Sequence, residues 1–173
     1  MVEARQKTHT ISLLVDNETG VLARIVGMFS ARGYNIESLN VATVDHAQKL
    51  SRITLTVRGT LRIIEQIKAQ LGRIIPVHQI KDLTIECPSL EREIALIKII
   101  GDEDTRNNAL EIAEDFGAIP IDVKHKAVIF ELVGKFTKLE EFITLMRPLG
   151  LVEIARTGVV SMEKGPGTLE QLI

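Results

Sequence analysis

The run Ile11-Ser12-Leu13-Leu14-Val15-Asp16-Asn17-Glu18-Thr19-Gly20-Val21-Leu22-Ala23-Arg24-Ile25-Val26 decides the fold. An aliphatic stretch, 11–15, stops at the polar turn Asp16–Gly20. From there apolar side chains recur at 21, 22, 25, 26 and 29, the spacing of one helix face. A strand feeds a tight turn, and the turn feeds a helix that begins at or just after Gly20. A helix start presents unpaired N–H groups and partial positive charge, which suits a carboxylate or phosphate. Glycine lets a ligand approach the backbone because no Cβ stands in the way.

Outward from that turn, the spacing predicts strand Thr8–Val15, helix Gly20–Ala31 ended by Gly33, and strand Tyr34–Val44. In the last of these, Leu39, Val41 and Thr43 share one face and Tyr34, Ile36 and Ser38 the other, which predicts a bulge or bend. A polar loop, 45–49, then makes a hairpin with Leu50–Gly59, where Ile53, Leu55 and Val57 alternate with Arg52, Thr54 and Thr56. Thr60 caps a second helix, and a strand from Arg73 to about Lys81 contains Pro76, which belongs at an edge or bulge.

After a Pro-Ser-containing linker the pattern repeats. Ile94–Ile100 is a strand, Thr105–Phe116 a helix, and residues 119–123 and 128–132 two strands. Thr137 and Glu140 form a capping box for a further helix, and Leu151–Val160 is the last strand. The fold class is therefore α+β, two consecutive ferredoxin-like β-α-β-β-α-β modules with mostly antiparallel sheets. The expected boundaries are 1–82 for the first domain, 83–90 for the linker, 91–161 for the second domain, and 162–173 for a mobile tail. Open sheets with helices on one side leave edges exposed, so a homodimer is expected.

Composition excludes several functions. The chain has 173 residues, 45% hydrophobic, and a formal net charge of −2, so it supports packed cores and offers no basic excess for nucleic acid or anionic membrane. With one cysteine, Cys87, it has neither a disulfide framework nor a multi-thiolate metal site. No apolar stretch approaches a membrane span, and Met1–Lys7 lacks a signal-peptide core, which sets the expectation of a soluble cytoplasmic protein. His9, His46, His78 and His125 have no zinc-like spacing, and no catalytic triad or phosphate loop stands out. The module also hosts RNA-recognition domains, but these need aromatic central strands, and only 3% of residues are aromatic.

The stretch 14–25, together with Phe29-Ser30-Ala31-Arg32-Gly33-Tyr34-Asn35-Ile36-Glu37-Ser38-Leu39, resembles an ACT domain. More narrowly it is similar to the small regulatory subunit of acetohydroxyacid synthase (acetolactate synthase). The stretches 91–99 and 152–160 fit the same family.

That resemblance implies a non-catalytic chain that activates a catalytic large subunit and confers feedback inhibition by a branched-chain amino acid, valine above others. Thiamine diphosphate, magnesium and FAD belong to the large subunit, and no cofactor or metal is expected here. The resemblance places the effector between two ACT domains and carries over Asn17, Gly20 and Asn35 as the matching motif positions, beside which Val21, Leu22 and Ile36 complete the expected site. Amides at 20–22 would take its carboxylate, Asn17 or Asn35 its ammonium group, and Leu22 and Ile36 its side chain. Turn chemistry explains the same residues: Gly20 as a turn glycine, Asn17 as a cap, Asn35 at a bulge. A free-standing amino-acid sensor is the alternative function.

Overall fold

The computed structural model describes residues 6–169. Its elements are β1 (Lys7–Asp16), α1 (Val21–Ala31), β2 (Ile36–Asp45), β3 (Leu50–Gly59), α2 (Leu61–Leu71), β4 (Val77–Asp82), β5 (Ser89–Ile100), α3 (Glu103–Phe116), β6 (Ile119–Lys124), β7 (Ala127–Gly134), α4 (Phe136–Met146), β8 (Leu151–Arg156) and β9 (Val160–Glu163). The chain divides into two units, 1–90 with 159–173, and 91–158. The first sheet runs β2-β3-β1-β4 and the second β6-β7-β5-β8, every adjacent pair along them antiparallel. The expected fold class holds.

In the first unit alternation puts Ile11, Leu13, Val15, Ile53, Leu55 and Val57 against Val21, Ile25 and Phe29 of α1 and Ile64, Ile67 and Leu71 of α2. The β2 register shifts between Ile36 and Ser38. This bulge lets both Ile36 and Leu39 pack on that core while Ser38 turns to the other face, where its Oγ lies 2.8 Å from Thr56 Oγ1. In the second unit Ala95, Ile97, Ile99, Val128, Phe130 and Leu132 meet Ala109, Ala113, Leu139, Phe142 and Met146.

Four local expectations change. Strand β4 begins only after Pro76, whose carbonyl instead accepts from Asp16 N–H at 3.0 Å. The start of α4 is two residues earlier than a capping box would need, because Lys135 is its N-cap, with no side-chain bond, and Thr137 lies inside the first turn. The expected linker 83–90 is packed: Leu83 is buried, Thr10 N–H donates to Thr84 Oγ1, and β5 already starts at Ser89. Lastly, the strand expected over 151–160 breaks after Arg156. Gly158 takes φ +75°, a left-handed conformation natural to glycine, and the chain turns there.

Beyond that turn, residues 159–169 rejoin the first unit, so the boundary falls at 158 rather than 161. The segment crosses the side of the first sheet that the helices leave open. Val159 N–H donates to Ser38 Oγ at 3.5 Å, Arg52 Nη2 to Ser161 O at 2.7 Å, and Lys164 N–H to Pro88 O at 2.8 Å, while Lys81 pairs with Glu163. Beneath it Thr10, Ser12, Thr54 and Thr56 are buried, as are Ser161 and Leu169 in the segment itself. The part of the expected tail from 170 to 173 lies outside the described residues.

Ser161 Oγ is the one buried side-chain polar atom without a partner among the described residues. An unsatisfied buried hydroxyl costs stability, so Ser161→Ala is expected to raise unfolding free energy by up to about 1 kcal/mol, read from urea denaturation.

Candidate functional site

The turn between β1 and α1 forms as its residue types dictate. Asp16 is the last β1 residue, opposite Leu50, and Asn17 N–H donates to Lys49 O at 2.6 Å, which pins the turn to the β2–β3 loop. Gly20 is the N-cap of α1 at φ +91° and ψ −7°, a conformation that costs an L side chain energy. The helix start has no side-chain cap and no acidic residue in its first turn, so its positive dipole end is left unneutralised by its own sequence. By contrast Thr60 Oγ1 accepts from Ile63 N–H at the start of α2, and Asp102 Oδ1 from Thr105 N–H at the start of α3. Those bonds from Thr105 hold the Asp102 carboxyl below its usual range.

Around the turn, Asn17 Nδ2 donates to Thr43 Oγ1 at 3.2 Å, committing the amide nitrogen and leaving Oδ1 as the acceptor. Asp16 Oδ1 sits 2.6 Å from His78 Nε2, and Arg24 Nη1 3.4 Å from Glu18 Oε1. Both pairs are about half exposed and each contributes at most about 1 kcal/mol. Val21 is buried, whereas Leu22 offers an exposed aliphatic side chain beside the amides. Sequence reasoning singled out neither Thr43 nor the Asp16–His78 pair, because only the tertiary pairing brings β2 and β4 to this turn.

Asn35 and Ile36 lie elsewhere. Gly33 at φ +66° ends the helix and Tyr34 N–H returns to Phe29 O at 3.0 Å, so β2 starts level with Val57, while Asn17 and Thr43 lie at the end marked by Ser51 and Leu50. From Ile36 to Thr43 the strand advances seven residues, roughly 23 Å at 3.3 Å each. One chain therefore brings Asn17, Gly20, Val21 and Leu22 together and holds Asn35 and Ile36 at the opposite end of the same edge strand. Within a single copy the six residues do not form one pocket.

Nothing in the other reactive side chains competes with this turn. Burial, followed by the carboxylate of Glu163, pushes the Cys87 thiol upward and keeps it protonated. His9 is not a surface histidine: it is buried, with Nδ1 2.7 Å from Asp82 Oδ2, and Asp82 Oδ1 accepts from Thr84 N–H. This cluster ties β1 to the end of β4. Among the described residues no set of His, Cys, Asp and Glu side chains is placed to hold a metal ion, and no helix is long and apolar enough to cross a membrane.

Comparison with known proteins bears on both units. Residues 11–79 match the family described as AHAS small subunit-like ACT domain, and residues 92–165 the family described as small subunit of acetolactate synthase. A probable acetolactate synthase small subunit of Archaeoglobus fulgidus is 41% identical over 157 residues, 91% of this chain and 97% of that protein. The acetolactate synthase small subunit of Mycobacterium bovis is 41% identical over 160 residues, 92% of this chain and 94% of that one. The crystal structure of the Thermotoga maritima acetolactate synthase small subunit superposes with a TM-score of 0.82 at 36% identity, covering 92% of this chain and 98% of its own.

A Cβ added at Gly20 meets nothing within 4 Å, so substitution there tests backbone strain alone. Gly20→Ala is expected to cost about 1–2 kcal/mol and Gly20→Asn, which tolerates the left-handed region, clearly less. Thermal melting of the two variants reads the order.

Proposed function

The chain belongs to the acetolactate synthase small-subunit family, and on that footing we propose that it is a non-catalytic regulatory subunit. In this reading it activates a separate catalytic large subunit and carries a feedback site for a branched-chain amino acid, valine first. Thiamine diphosphate, magnesium and FAD are then held by the large subunit, and this chain supplies no group to the chemistry.

The observation that carries the effector site is the separation of its halves along β2. That strand is one of the two edges of the first sheet, β4 being the other. A two-fold axis pairs it antiparallel with β2 of a second copy, which sets the start of one strand beside the end of the other. Asn35 and Ile36 of one copy then approach Asn17, Gly20, Val21 and Leu22 of its neighbour. In the pocket so formed, first-turn amides of α1 take the effector's carboxylate. Asn17 Oδ1, freed by the amide's bond to Thr43, accepts from the ammonium group, with the Asn35 amide opposite. Leu22 and Ile36 receive the branched side chain. A methylene more or less in such a pocket discriminates by about 1–3 kcal/mol, so valine, isoleucine and leucine differ in degree. Coupling between effector and activation of about the same size, 1–3 kcal/mol, is enough for feedback.

Millimolar valine, isoleucine or leucine is expected to raise the melting temperature, by about 2.7 kcal/mol of stabilisation at a hundredfold excess over Kd. Gly20→Asp, which sets a carboxylate against the effector's own, abolishes the shift. Co-expressing Asn17→Ala chains with Asn35→Ala chains discriminates further. Neither variant binds alone, whereas the mixed pair regains one intact site, half the wild-type stoichiometry by calorimetry. A mixture that binds nothing rules out the shared pocket.

A further inference from the structure

Residues 159–169 lie on the open side of the first sheet as a strap that begins with a period of two. Val159 and Ser161 are buried and Glu163 reaches inward, whereas Val160 and Met162 are exposed. The three inward positions land on three different strands. Val159 N–H donates to Ser38 Oγ on β2, Ser161 O accepts from Arg52 on β3, and Glu163 pairs with Lys81 on β4. Since β2 and β4 are the two edges, the strap crosses the whole sheet, roughly 14 Å for strands about 4.8 Å apart.

Its anchor on β2 stands next to residues of the proposed pocket. Asn35 and Ile36 come just before the register shift, Glu37 has no register partner, and Ser38 is the first residue to pair after it. At a bulge the extra residue bends the strand and re-aims the side chains around it. The Ser38 hydroxyl is held from two directions, 2.8 Å from Thr56 Oγ1 and 3.5 Å from Val159 N. A hydroxyl has one hydrogen and two lone pairs, so it can donate to Thr56 and accept from the strap at once. A slip of one residue would turn Ser38 toward the core and Ile36 away from it. The bulge and the seated strap therefore hold each other.

Three features make the strap releasable. Gly158 and Gly165, at φ +75° and +81°, bracket its anchored part. A cavity of about 130 Å³ remains between Arg52, Lys81 and Leu83 below and Met162, Glu163 and Leu169 above. Ser161 Oγ is buried without a partner among the described residues. Lost packing and an unmet hydroxyl both lower the cost of lifting the strap.

On the footing of the proposed effector pocket, we infer that Ser38 is a positioning residue for it. With the strap seated, Ser38 fixes the bulge that presents Asn35 and Ile36. Effector and strap then favour the same backbone arrangement, and by reciprocity each strengthens the other.

Hydrogen exchange of residues 159–169 in the full chain, read by mass spectrometry with and without saturating valine, tests the inference, with calorimetry in the same samples. In the wild type valine is expected to slow exchange of the strap about fivefold or more. Ser38→Ala loses that slowing while valine still binds, and Ser38→Thr, which keeps the hydroxyl, retains it. Lys81→Met loosens the strap at the far edge and speeds its exchange, yet valine still slows it because Ser38 is intact. Valine heat with no change in strap exchange overturns the inference and leaves the effector site standing. Slowing that survives Ser38→Ala overturns the role of Ser38. No heat with valine, isoleucine or leucine in the wild type removes the effector site, and the inference with it.

Discussion

A β-α-β-β-α-β unit sets two helices against one face of four strands and leaves the other face and both edges to be satisfied. Most of what distinguishes this chain follows from that geometry, applied twice. The central strand β1 is buried along both faces, Ile11, Leu13 and Val15 under the helices and Thr10, Ser12 and Leu14 on the far side. Its counterpart β5 is buried on one face only, through Ala95, Ile97 and Ile99. The difference lies in the segment 159–169, which the first unit has as cover and the second lacks.

Covering a polar face requires each buried polar group to be bonded, and the first unit meets that need with paired hydroxyls and charged tethers. Ser38 meets Thr56, Arg52 Nε donates to Ser12 Oγ at 2.9 Å while its Nη2 reaches Ser161 O, and Lys81 pairs with Glu163. The second unit concentrates its polar work at one corner. There Arg156 makes a two-pronged bond to the buried carboxylate of Glu93 at 2.8–2.9 Å, reaches Glu140 on α4, and lies 5.2 Å from the ring centroid of Phe136. Glu93 holds the Arg156 guanidinium above its ordinary range against the opposing effect of burial, with Glu140 adding to it. Removing Arg156 would leave the buried Glu93 carboxylate without its guanidinium, which costs far more than the pair contributes.

The edge strand β2 has a different role. Its two ends carry the two halves of the proposed pocket, so the pocket's existence depends on how a second copy pairs with it, and a change in that pairing changes the site. Coupling between effector and assembly then needs no long path through the core, because the ligand and the edge contact share the same residues.

The sequence by itself determined the order of elements, the antiparallel pairing, and the turn around Gly20, because period-two and period-3.6 patterns and a glycine between strand and helix are local constraints. The bulge near Ile36 was legible for the same reason, from the face split among Tyr34, Ile36, Leu39 and Val41. Tertiary structure decided what depends on residues far apart. Thr43 and His78 reach the turn only through strand pairing, and His9 finds Asp82 across 73 positions. Asn17 and Asn35, 18 positions apart in the chain, lie at opposite ends of β2, whose span from Ile36 to Thr43 is roughly 23 Å because a strand is stiff and extended. Residues 159–169 return to the first unit because Gly158 turns the chain there and Arg52, Lys81 and Ser38 receive them, and no local periodicity records where a segment goes after a turn.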